Sequence, residues 1–572
     1  MPTRSAFSYV ERFRRDQSGA SALLFAVATV PLFTIIGAAI DYSSAINRRV
    51  ELQTAADATA VRGCKDIQTQ SVATAKQNMA ATFQAMFKEP ATYNFDITTT
   101  IAQGTVKVTA ASMFSAQLGA LVGLNNIELS AYAECEYANN TYEISLVMDN
   151  SGSMSESAGS QSKMQAAKDA AKTLVQTMYS GPTSSSRVKF SLVPFTLSVN
   201  VGASYRTAPW ADSTAISSAH WDNFDYANSL WKPASRFALF DELNIPFGGC
   251  FETRPGNYAV TDVSATPGQP DSYFVPQFAP DDPGARASGS SSYSFQQNGT
   301  GKTVTYKYEN SYLDDNTAGT GQCQVGATKQ THQTWEVDKA LTKLCKYKGN
   351  PTKTVSNQRG PNYMCNGQPL TRMTNDSSLL QTRIDQMSAS GNTNIFEGFM
   401  WGWRTVSPNG PFADGRIYGQ QPAGQAFNVK VMIVLTDGVN AWNGLNNASG
   451  SRYSPAGFLQ NTRSGAAVAG VTPFTKVSRF TPLTTTTESQ GIAAMDNRLT
   501  TACANAKAQG IVVYTIGFAK KESEVNSGVL KTCASPNPAT GGPLYYYAAN
   551  ANEVQQVFKD IANKLSDLRI TR

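Results

Sequence analysis

Histidine is almost missing from this chain. Its 572 residues include only two, His220 and His332, and neither sits in a motif. Histidine is the usual general base near neutral pH and the usual nitrogen ligand of zinc. Histidine-based catalysis and His-bearing zinc sites are therefore close to excluded. No C-x-x-C pair occurs among the eight cysteines, which disfavours zinc ribbons and thioredoxin-like redox motifs. Charge is sparse, at 16% of residues with a net +6, and no basic stripe is interleaved with aromatics. No nucleic-acid partner is expected. One stretch, Gln17 to Ile40, has no charge at all.

That stretch is dominated by Leu23, Leu24, Phe25, Val27, Val30, Leu32, Phe33, Ile35, Ile36 and Ile40. About 20 apolar residues span a bilayer, and Pro31 is tolerable inside such a helix. Arg4, Arg12, Arg14 and Arg15 precede it. The positive-inside rule then puts residues 1–17 in the cytoplasm, a transmembrane helix over 18–41, and the rest outside. A cleaved signal peptide is the competing reading, but its apolar region is shorter, about 7–15 residues. Hydrophobic residues make up 41% of the chain, enough for a real core, and the length allows several domains. An even number of widely spaced cysteines suggests disulfides and an oxidising compartment, with free buried thiols as the alternative.

Beyond the span, Asp41 to Lys88 reads as a long helix rich in Ala, Gln and Thr, ended by Pro90. Its apolar stripe is Ile46, Val50, Val61, Val72, Met79, Phe83 and Met86. Strand-like alternation follows at Tyr93–Ile97, Val106–Val108 and Ile127–Ala131. A helix leaving the membrane and packing on a small sheet is a pilin-like α+β plan, over 42–140.

From Tyr142 the pattern changes to strands alternating with helices. Ile144–Met148 and Val431–Leu435 are short, almost wholly apolar runs, as expected of strands buried on both faces of a parallel sheet. Gly510–Phe518 is another, and Val188–Phe195 a fourth, with Leu197–Val201 as its possible edge neighbour. Helices are expected over Met164–Met178, Ser378–Met387, Asn394–Thr405, Ile492–Ala508 and Ala551–Leu568, the last with a capping box at Asn550 and Glu553. Alternation of this kind gives a doubly wound, mostly parallel α/β sheet. Residues 203–375 interrupt it with few periodic segments and read as an inserted subdomain. Within it a strand is expected around Thr303–Glu309 and a helix around Gln333–Lys346. Trp210, Trp221, Trp231 and Trp335 supply a small core or, if exposed, stack on sugars. Residues 440–487 form a second, shorter excursion.

Three distant segments fall at ends of these elements: Asp149-Asn-Ser151-Gly-Ser153, Gly391-Asn-Thr393 and Thr436-Asp437-Gly438. Ligands gather at the carboxyl ends of parallel strands. Two carboxylates and three hydroxyls there make an all-oxygen cage for a hard divalent cation, Mg²⁺ above all. Read alone, Asp149 to Ser153 is also an ordinary turn and helix N-cap. Together, the D-x-S-G-S, downstream Thr and T-D-G set resembles the metal-ion-dependent adhesion site of von Willebrand factor A domains. The resemblance implies that Ser151, Ser153 and Thr393 hold the ion directly and that Asp149 and Asp437 hold it directly or through water. One position stays open for an acidic group of a protein partner. It makes 141–572 the A domain.

A second resemblance lies at the N-terminus. Arg15-Asp-Gln-Ser-Gly19-Ala, the apolar span, Asp41-Tyr42 and Leu52-Gln-Thr-Ala-Ala-Asp57-Ala are similar to TadG-type proteins of the bacterial Tad, or Flp, pilus assembly machinery. Processed pilins and pseudopilins of that system carry Glu five residues after the cleaved Gly, where this chain has Leu24. The span is therefore expected to stay as an anchor. The two resemblances imply a single-pass protein of the bacterial inner membrane, mostly periplasmic. It would be non-enzymatic and would act in pilus assembly by metal-dependent binding of other assembly components. Two alternatives stand beside this: a Mg-dependent phosphohydrolase with Asp149 as nucleophile, and a minor structural pilin. The phosphohydrolase lacks a second acid at Ser151 and an evident Lys or His helper. In the expected fold Cys503 pairs with Cys533, Cys345 with Cys365, Cys64 with Cys135, and Cys250 with Cys323.

Overall fold

A computed structural model describes residues 18–67, 70–99, 103–119, 123, 125–138, 140–180, 187–224, 226, 229, 231–282, 289–296, 303–313, 344–349, 355–356, 359–419, 428–445, 450–458, 487–538 and 540–567. The chain divides into two compact units, 1–139 with 566–572, and 140–565.

In the first unit, helix α1 runs unbroken over Ser18–Asp66. Its most apolar 18-residue window has a mean hydropathy of 2.4 and is long enough to cross a membrane. Apolar side chains from Leu23 to Ile40 have no core to enter; Leu23 is 69% and Phe25 74% exposed. Farther along, Ala45, Leu52, Ala55, Ala56, Ala60 and Cys64 are buried. They pack with Ala75, Met79 and Phe83 of α2 (Val72–Met86) on Val106, Val108, Leu129, Ala131 and Ala133 of the sheet. That sheet is an antiparallel meander of β1 (Ala91–Thr99), β2 (Gln103–Ser115) and β3 (Asn126–Ala138). A Cβ on Gly63 would lie 2.6 Å from the Met79 sulfur and 2.8 Å from Val106, so only glycine lets α1 cross there. The Cys64–Cys135 disulfide ties α1 to β3, as expected.

The single helix expected over 41–88 is instead two. α1 ends at Asp66 and α2 starts after Ser71, whose hydroxyl accepts from Thr74 N. Asn78 of α2 donates back to Asp66 at 2.8 Å, so the break folds the second helix against the first.

The second unit is built on a six-stranded sheet in the order β11-β10-β9-β4-β5-β8. β4 (Thr141–Asp149), β5 (Val188–Phe195), β9 (Asn428–Thr436), β10 (Val512–Phe518) and β11 (Tyr545–Ala548) are parallel. β8 (Thr371–Thr374) pairs antiparallel with β5 at the edge. This corrects the expectation for Leu197–Val201, which turns away and bridges to Cys250 through Asn200. An antiparallel hairpin, β6 (Gly289–Gln296) and β7 (Thr303–Ser311), lies in the long β5–β8 connection, the latter where a strand was expected.

Both sheet faces are covered. Ile144, Leu146, Met148, Val431 and Ile433 pack on α3 (Lys163–Tyr179), α5 (Ser377–Asp385) and α9 (Ala551–Asp567). Val147, Val193, Phe195, Met432 and Val434 pack on α6 (Ile395–Val406) and α7 (Glu488–Ala508). The same cluster takes in Trp210, Phe224, Phe251, Phe274, Phe278 and α4 (Arg236–Leu243) from residues 203–375. Trp221 and Trp231 pack against it half-buried, while Trp335 and most of the helix expected over 333–346 lie outside the described residues.

Glycine sets the position of α6. A Cβ on Gly402 would lie 2.3 Å from Val147, and one on Gly398 2.6 Å from Phe195. The helix therefore sits almost directly on β4 and β5, and its N-terminus is held at their carboxyl ends.

Cys503 of α7 bonds to Cys533 at the end of α8 (Ser527–Cys533), as expected. The other two expected pairs are corrected: Cys250 bonds to Cys365. Gly248 N donates to Asn362 at 2.9 Å, which brings the two distant segments side by side. Cys345 is also disulfide-bonded, and Cys323 lies outside the described residues.

Candidate metal centre

From β4 the chain passes to β5 on one side, while β9 pairs on the other. β4 lies between β5 and β9, so the carboxyl ends of β4 and β9 form the switch point at which ligands gather in open α/β sheets. Asp149 ends β4 and Asp437 follows β9, so both reach it.

The three sequence segments meet here. Asp149 is 1% exposed; one carboxylate oxygen accepts from Ser151 N at 2.7 Å and the other from Thr436 Oγ1 at 2.7 Å. Ser151 Oγ and Ser153 Oγ are 3.1 Å apart. Ser153 Oγ donates to Asp437 Oδ1 at 2.7 Å. Gly391, at φ +78°, accepts from Gly152 N at 2.9 Å and carries the chain round to Thr393. A Cβ on Gly152 would lie 3.3 Å from the Gly391 carbonyl oxygen, a tight contact that a larger residue would meet only by shifting that loop. Asn394 then caps α6 by accepting from Glu397 N at 3.1 Å. Thr393 Oγ1 lies 3.9 Å from the place a Cβ on Gly438 would occupy, and the Thr393 carbonyl accepts from Ala441 N. Asp149, Ser151, Ser153 and Asp437 thus form one hydrogen-bonded cluster, with Thr393 beside it.

Lys163, the first residue of α3, was not singled out from the sequence. Its ammonium donates to Asp437 Oδ2 at 2.9 Å and to Glu156 Oε2 at 2.9 Å. Nothing local marks it, because contact with Asp437 depends on how α3 docks. It is a lysine beside the carboxylates where the sequence offers no evident Lys or His helper. Thr436, the first residue of the third segment, fixes Asp149 through its hydroxyl.

Charge here is tightly managed. Burial and the neighbouring Asp437 push the Asp149 carboxyl up to about 6, against the bonds from Thr436 and Ser151. Burial pulls the Lys163 ammonium down, but its bonds to Asp437 and Glu156 outweigh this and raise it. The Lys163 bond holds Glu156 below the usual carboxylate range. Among the described residues, no group of three or more His, Cys, Asp or Glu is placed to hold a metal ion. Any cation here would therefore depend on the hydroxyls.

Residues 19–74 match the family described as putative Flp pilus-assembly TadE/G-like. The match covers the apolar span, the rest of α1 and the first turn of α2. No curated protein matches the chain. Among solved structures, the chain is similar to the PilB minor pilin from Streptococcus sanguinis, at 11% identity and a TM-score of 0.30, over 84% of this chain and 79% of that one. It is also similar to the vWF domain of the type V pili tip protein Mfa5 from Porphyromonas gingivalis, at 10% identity and 0.30, over 76% and 97%. The tip pilin GBS104 from Group B Streptococcus agalactiae gives 11% and 0.29, over 74% and 100%. Likenesses this distant carry no weight for function.

Proposed function

We propose that the chain is a membrane-anchored envelope protein of Tad/Flp pilus assembly, and that residues 140–565 form a von Willebrand factor A-like binding module. In this reading α1 anchors the chain in the inner membrane, residues 1–17 are cytoplasmic and the remainder is periplasmic. The module is non-enzymatic and binds a protein partner through a divalent cation. The TadE/G-like match over residues 19–74 supports the assembly role.

The carrying observation is the spacing of the oxygen cluster. In an octahedral Mg²⁺ shell with bonds of about 2.1 Å, neighbouring ligand oxygens lie about 3 Å apart. The 3.1 Å between Ser151 Oγ and Ser153 Oγ, and the 2.7 Å from Ser153 Oγ to Asp437 Oδ1, suit such a shell. Asp149, Ser151, Ser153, Thr393 and Asp437 would hold the ion, directly or through water. When bound, the cation supplies an electrophilic position for a partner's carboxylate. Neutral hydroxyls leave it less neutralised than an all-carboxylate cage would, and Lys163 adds positive charge beside Asp437.

Asp149→Ala tests this. Mg²⁺ binding by calorimetry and capture of crosslinked envelope partners should be lost together, with the circular dichroism spectrum unchanged. Capture at wild-type strength, or capture indifferent to EDTA, rejects the reading.

One observation favours the phosphohydrolase: Lys163 stands 2.9 Å from Asp437, where it could also meet a phosphate. Against it, both Asp149 oxygens are engaged and the residue is 1% exposed, which leaves a poor nucleophile. Mg²⁺-dependent turnover of a phosphomonoester that Asp149→Asn abolishes would favour the enzyme. Recovery of the chain in sheared pili would favour a minor structural pilin.

A further inference from the structure

Asp41 stands where the apolar stretch of α1 ends, yet it is 5% exposed. Its neighbours Ile40 and Tyr42 are 52% and 66% exposed. What covers it is the start of the β2–β3 connection, Leu118 and Gly119. Asp41 Oδ2 accepts from Leu118 N at 2.7 Å and from Gly119 N at 2.6 Å. One turn earlier, a Cβ on Gly37 would lie 2.8 Å from Leu118 Cβ. The absence of a side chain at Gly37 is what lets the connection close on the helix. At a rise of 1.5 Å per residue, Gly37 lies about 6 Å from Asp41 towards the apolar stretch. Leu118 thus reaches back alongside residues that belong to the span. It remains 42% exposed, and residues 116–124 have no charged side chain.

We propose that the start of the β2–β3 connection, at Leu118 and Gly119, is a second membrane contact. Leu118 sits in the headgroup–acyl boundary of the leaflet from which α1 emerges, and Asp41 clamps it there. The proposal rests on reading α1 as a membrane span. The partner is the lipid surface, because Leu118 is continuous with the lipid-exposed face of the helix and at its depth. The clamp also meets the main cost of such a contact. Backbone N–H groups entering the boundary need acceptors, and Asp41 serves two of them. An apolar group at this depth adds interfacial binding in proportion to its buried area. Two contacts, unlike a lone helix, fix the rotation of the first unit about the span.

The test uses full-length protein in vesicles of phosphatidylethanolamine and phosphatidylglycerol. Nitroxide labels are placed singly at Val30→Cys, Leu118→Cys and, as an exposed reference, Ile216→Cys. Power-saturation spectroscopy reads collisions with oxygen, which enters lipid, and with a water-soluble nickel chelate. The expected result at Leu118 is loss of most of the nickel collisions seen at Ile216, with oxygen collisions retained. In an Asp41→Ala background the nickel collisions at Leu118 should return several-fold. Nickel access at Leu118 equal to that at Ile216 overturns the contact. Shielding from both reagents also overturns it, in favour of a protein neighbour. Unchanged readings in Asp41→Ala overturn the clamp. Nickel access at Val30 removes the membrane anchor, and the proposal with it, and so separates that failure from the others.

Discussion

Asp437 divides its two oxygens between unlike donors, the Ser153 hydroxyl and the Lys163 ammonium. The buried Asp437 carboxylate thus faces one buried cation from the protein's own chain. Removing one partner from such a set typically costs about 3–5 kcal/mol, because charge is left uncompensated. Lys163→Met should therefore lower Tm in EDTA, and Mg²⁺ should restore a larger share of the stability than it adds to the wild type. Differential scanning fluorimetry with and without the ion reads both numbers. Equal increments would mean that Lys163 and the cation do not share a charge balance.

Proton and metal should also compete at Asp149. Its carboxyl stands at about 6 in the fold, above the unfolded value of about 4. In the absence of a cation its contribution to stability is fully present below about pH 4 and is lost as pH rises through about 6. A divalent cation reverses the trend, since it binds the carboxylate. The Tm increment given by Mg²⁺ should shrink as pH falls from about 7 to about 5. Asp149→Asn should show no such pH-dependent increment.

At the scale of elements, the placement of α6 governs the Thr393 loop. Gly402 faces Val147 and Gly398 faces Phe195 at distances no side chain tolerates. Gly402→Ala should cost about 1–3 kcal/mol by overpacking. It should also weaken Mg²⁺ binding, because the helix must lift and carry Asn394 and Thr393 with it. Urea unfolding measures the first effect and titration calorimetry the second. Elements buried on both faces were legible in the sequence. β4, β9 and β10 are apolar runs of a length only strands use, and α9 shows its stripe from Val554 to Leu565. β8 was not legible, because Thr371-Arg-Met-Thr374 is short, polar and held by its neighbour alone. Nor was the break after Asp66, where no proline or glycine intervenes before Ser71 and the packing of α2 makes the turn. The site was legible as far as its oxygen donors. Lys163 was not, since no spacing in sequence encodes a contact made by docking one helix against another strand's loop.

At the scale of the whole molecule, the two compact units have separate cores, one on α1, α2 and the meander, the other on the six-stranded sheet. Residues 140–565 expressed alone should fold and bind Mg²⁺ with the affinity of the full chain, as read by calorimetry. A large loss of affinity would mean that the first unit contributes to the centre. Which cysteines pair also belongs to this scale. Neighbours in sequence suggested Cys345 with Cys365, whereas the long connection doubles back to lay Cys365 against Cys250.

That Cys250–Cys365 bond closes 115 residues of sequence separation into a covalent ring. A peptide bond cut anywhere inside the ring opens it without releasing either end. The severed chain stays one molecule, with β5 and β8 still joined through sulfur. Outside the reducing cytoplasm, the longest connection of the protein can thus be nicked and the sheet it interrupts remain whole.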